Sequence, residues 1–155
     1  MADHDALMAA VIAAARDADA EGWDGTHRVY ALTDRDTYLG VAYPLDPPAE
    51  LPPDALLAIP LTPLGPGDLR TELARVTWPD DVRGCVLVTE VTVVTLLGRW
   101  RRGKSFGVRG ARLAVGVLRD GRHRSVLRSG DEGDWRICPG SLSTDAVVSA
   151  LVGTF

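Results

Sequence analysis

A chain of 155 residues is long enough to bury a sizeable core and fits one domain rather than two. Its formal net charge of −4 hides a division, because residues 1–97 carry −10, residues 98–130 carry +9 and residues 131–155 carry −3, which argues against a uniformly basic binder of polyanions. No segment approaches the roughly 20 apolar residues of a spanning helix, the first residues are acidic where an export signal is basic, and Cys85 and Cys138 lack metal or disulfide spacing, so a soluble, cytoplasmic protein is expected.

In chain order, Asp3 or Asp5 caps a helix at about 5–21, with Leu7, Met8, Val11, Ile12, Ala15 and Ala18 on one side and Gly22 as its stop. His27–Thr33 and Thr37–Tyr43 are rich in β-branched and aromatic residues and read as a strand pair turned by Asp34–Asp36. Residues 44–66 hold eight of the ten prolines and read as a surface loop with a short helix at Asp54–Ile59. Asp68–Val76 spaces Leu69, Leu73 and Val76 as a helix does. Gly84–Leu97 is apolar on both faces, the pattern of a strand at the centre of a sheet.

Arg112–Leu118 and Ser125–Arg128 flank Asp120–Gly121, which suits a type I′ hairpin, and Trp135–Ile137 adds an edge strand. A last helix starts at the cap Ser143, stapled by Leu142 and Val147, and runs to about Val152. Helices separated by hairpins instead of crossovers indicate a single α+β domain, with a central antiparallel sheet and helices packed mainly on one face.

The stretch GRWRRGKS, residues 98–105, fits the phosphate-loop pattern G-x-x-x-x-G-K-[ST]. That loop works by aiming the amides at the start of a helix onto phosphate. Here the downstream residues, with Gly107, Gly110 and Gly116 among β-branched neighbours, return to a strand, so Lys104 and Ser105 are not expected to hold a nucleotide. The same segment supports an alternative: Arg99, Arg101, Arg102, Lys104 and Arg109, interleaved with Trp100 and Phe106, join phosphate-pairing cations to rings that stack on bases.

No residue is assigned a catalytic, cofactor-binding or metal-ligating role. His4, His27 and His123 lie apart and outside apolar settings that would tune a base, and no serine or cysteine sits in a nucleophile motif. Glu90, inside VLVTEVTVV, needs a partner if buried, and a structural charge pair with an arginine such as Arg112, or an edge into solvent, is expected. Asp80 and Asp81 read as turn acids after Pro79, with Trp78 packed beneath.

WPDDVRGC (78–85), LAVGVLRDG (113–121) and a closing helix ending ALVGTF (150–155) resemble a family of small uncharacterised proteins from actinobacteria, over most of residues 69–155, with LTPL (61–64) a further match. The resemblance implies kinship of fold and carries no catalytic residue, cofactor or substrate. The chain departs from the family's pattern between Thr95 and Gly110. The leading expectation is a non-enzymatic protein-contact domain acting as a homodimer. The alternative is nucleic-acid binding through residues 99–112, and a third is a small-molecule site or enzyme under the proline-rich loop.

Overall fold

The computed structural model describes residues 2–22, 27–34, 55–64, 69–92, 110–129, 135–137 and 145–155. Six strands form one sheet: β1 (Arg28–Asp34), β2 (Leu56–Pro60), β3 (Gly84–Thr92), β4 (Gly110–Leu118), β5 (His123–Ser129) and β6 (Arg136–Ile137). Their order is β2-β1-β3-β4-β5-β6, with every neighbouring pair antiparallel. Among the described residues three helices join them: α1 (Ala2–Glu21), α2 (Leu69–Leu73) and α3 (Asp145–Val152).

The sheet is central because β3 alternates two apolar sets. Val86 and Val88 face α1 together with Leu32, Ala114 and Val126, while Cys85 and Leu87 face α2 and α3 together with Val115, Leu73 and Leu151. All are buried. The 20-residue α1 puts most of the helical chain on one face, as expected, while two short helices cover more of the opposite face than periodicity suggested. Helix α1 stops at Gly22, whose φ of +88° favours a residue without a Cβ. It lies close against the sheet at Gly116, where an added Cβ would run into Val11 Cγ2 and lie 3.2 Å from Leu7 Cδ1.

Two local expectations are corrected. Leu56–Pro60 is a strand, not a short helix, paired with β1 from Tyr30↔Pro60 to Asp34↔Leu56. A five-residue apolar run has no period long enough to separate the two states, and the edge of β1 decides between them. The neighbours of β1 are therefore β2 and β3; Thr37–Tyr43, expected to pair with it, lies outside the described residues. The β4–β5 turn is not type I′, which needs positive φ at Asp120 as well as Gly121. Among the described residues only glycines have positive φ, with Gly121 at +92°. Gly121 N–H donates to Leu118 O at 2.9 Å and Leu118 N–H to Arg122 O at 2.8 Å, which makes a three-residue loop ending in a left-handed glycine. The expected cap Ser143 and the staple residue Leu142 lie outside the described residues.

Candidate contact site at the turn end of the sheet

The segment between α2 and β3 folds as a turn in which Val82 N–H donates to Pro79 O at 3.1 Å, leaving Asp80 and Asp81 exposed at its tip. Arg83 N–H then joins the sheet by donating to Leu32 O at 2.8 Å. Arg119, one residue beyond β4, crosses to this turn: its Nε donates to Val82 O at 2.6 Å, its Nη2 to Pro79 O at 2.7 Å, and its backbone N–H to Arg83 O at 3.1 Å. A planar guanidinium with fixed donors suits two carbonyls at one turn.

The chain after α3 completes the cluster. The Phe155 ring stacks on Trp78 at 5.7 Å between centroids and 22° between planes, and the Arg119 guanidinium carbon lies 4.7 Å from the Phe155 centroid. Trp78 Nε1–H donates to Thr154 Oγ1 at 2.8 Å, and that hydroxyl donates to Leu151 O at 2.6 Å. Beneath both rings lie Ala31, Ile59 and Val82. Trp78 and Phe155 remain half-buried, and Asp80, Asp81, Arg83 and Arg119 are exposed around them. The result is an apolar centre with a rim of both charge signs. WPDDVRGC, LAVGVLRDG and ALVGTF all supply residues to it, although spacing in the sequence showed them only as packing and turn motifs.

Cys85 lies beneath this end, fully buried. Burial pushes its thiol up to about 12, against a smaller downward pull from the Thr154 hydroxyl, so it stays protonated and unreactive at neutral pH. Cys138 lies outside the described residues.

The residues singled out for nucleic acid, Arg99, Trp100, Arg101, Arg102, Lys104, Phe106 and Arg109, also lie outside the described residues, as do Lys104 and Ser105 of the phosphate-loop pattern. The strands around that pattern are described, and they are antiparallel neighbours, with Gly110 already opposite Thr92. In the chain, four residues separate Ser105 from the start of β4.

For Glu90 the buried pair with Arg112 gives way to the solvent-facing alternative. The two stand opposite each other in the β3–β4 register, but Glu90 is exposed. The carboxylate beside Arg112 is that of Asp19, in the last turn of α1, 3.7 Å away. Asp19 Oδ2 also accepts from Arg128 Nη1 and from Trp135 Nε1, each at 2.8 Å. This cluster fixes the end of α1 to β4, β5 and Trp135. A carboxylate at helical spacing on α1 gave no local sign of it.

His27 Nδ1, one residue before β1, lies 2.7 Å from Thr89 Oγ1 on β3, and His123 is exposed on β5. Among the described residues no three His, Cys, Asp or Glu side chains are grouped to hold a metal, and no helix is long and apolar enough to cross a membrane.

A family model described as PPA1309-like protein matches residues 7–96, more than half of the chain. The matched stretch contains WPDDVRGC and ends before LAVGVLRDG and the closing helix. Neither the curated proteins nor the solved structures yield a match.

Proposed function

The chain belongs to the PPA1309-like protein family, and from that premise we propose that it is a cytoplasmic, non-enzymatic protein-contact domain that pairs with a second copy of itself through the Trp78–Phe155 end of the sheet. The observation that carries this reading is the composition of that end. A half-buried aromatic pair capped by arginine is the chemistry found at the energetic centres of protein interfaces. Its rim carries Asp80 and Asp81 beside Arg83, so the surface is complementary to itself, as a twofold interface requires. Each face of the sheet carries its own apolar cluster beneath helices, and the Trp78–Phe155 pair packs half-buried against one of them. The buried, unpaired Cys85 accords with a reducing compartment.

Sedimentation velocity over a concentration series tests the proposal through charge reversal at exposed positions. Asp81→Arg and Arg83→Asp should each weaken dimerisation about tenfold, since each change is felt twice across a twofold axis, and the double exchange should recover most of the loss. A chain that stays monomeric at about 100 μM, where a contact worth ~6 kcal/mol would already be populated, ends the proposal.

A further inference from the structure

On the opposite face of the sheet, a groove of about 360 Å³ runs between the outward flank of α1 and the strand β2. Ala9 and Ala13 form one wall, Leu56, Ala58 and Pro60 the other, and the only polar side chains among its described lining are Asp17 and Tyr30. The Tyr30 hydroxyl donates its one proton to Asp17 Oδ2 at 2.9 Å. Asp17 Oδ1 has no hydrogen-bond partner among the described residues, so the polar end offers acceptors only: a carboxylate oxygen and the remaining lone pair of a phenol. Burial, then the bond to Asp17 and its charge, hold the Tyr30 hydroxyl well above its ordinary range, so the tyrosine keeps this proton. Glu21 adds negative charge nearby and Arg28 opposes it, but the Arg28 guanidinium is directed to Gly22 O at 3.0 Å.

We infer that this groove is a binding site for a small apolar amine, with the hydrocarbon body against the alanine, leucine and proline walls and the ammonium on Asp17. An alcohol brings one donor and no charge, and a carboxylate meets like charge; only a cationic donor both satisfies the acceptors and neutralises the carboxylate. The volume lies in the range of small-ligand sites, and the site stands apart from the proposed contact surface.

The test uses the whole chain with three probes of one shape: hexylammonium, 1-hexanol and hexanoate, titrated by calorimetry and thermal shift. Hexylammonium should saturate at least tenfold more tightly than hexanol, and hexanoate should not bind. Asp17→Asn, which keeps an acceptor for Tyr30, should erase the preference for the amine over the alcohol. Ala13→Leu should weaken amine and alcohol together by narrowing the groove. An amine that binds no better than the alcohol, or a preference that survives Asp17→Asn, overturns the inference. So does a groove that takes none of the three probes, as one reserved for a protein partner would.

Discussion

At Cys85 the environment acts on one proton. The folded chain holds its thiol up to about 12 against an ordinary 9.0, so between those limits the folded state keeps a proton that the unfolded state releases. The stabilisation is fully present below about pH 9 and is lost as pH rises toward 12. Urea midpoints measured near neutrality and near pH 10 should therefore fall more steeply for the natural chain than for Cys85→Ala. Gly116 is a second sensitive position. A methyl group there meets Val11 and Leu7, so Gly116→Ala should destabilise by ~1–3 kcal/mol, seen as a lower denaturation midpoint with unchanged slope. From the sequence Gly116 reads as a lapse in a strand; the helix pressed onto it is invisible locally.

Among elements, α1, β3 and the β4–β5 hairpin were legible because each carries its own period: a helical stripe, a run apolar on both faces, and two strands around Asp-Gly. Leu56–Pro60 was not, since its state is imposed by hydrogen bonds to β1, more than twenty positions earlier in the chain. Asp19 shows the same limit. Nothing in its neighbourhood marks it, yet it accepts from Arg128 and Trp135, which lie 109 and 116 positions away. Asp19→Ala should leave two partly buried arginines without this carboxylate and cost ~2 kcal/mol in equilibrium unfolding, whereas Asp19→Asn, which keeps an acceptor, should cost less. If Asp19→Ala is neutral, the cluster is not what fixes the end of α1.

For the whole molecule, the decisive arrangement is the convergence of three distant stretches on one end of the sheet. Trp78 and Thr154 are 76 positions apart and Arg119 and Pro79 are 40 apart, so spacing could quote their motifs but not place them side by side. The charge division was legible from a count of residues, and it sets an expectation for salt. A contact with an aromatic centre and only a charged rim should weaken by less than ~10-fold between about 0.05 and 0.5 M NaCl, because screening reaches the rim alone. A steeper loss in sedimentation would mark an electrostatic contact and shift attention to residues 98–130.

The pairing of Thr92 with Gly110 has a consequence for engineering. The ladder runs unbroken from Gly84↔Leu118 to that rung, and joining its ends through seventeen residues carries an entropy of loop closure. That entropy varies with the logarithm of length, so splicing in a tight turn of about four residues should raise stability by ~1 kcal/mol. If the spliced chain unfolds cooperatively at a higher urea midpoint, the span from 93 to 109 is exchangeable and the arginine-rich stretch can be replaced by a foreign peptide.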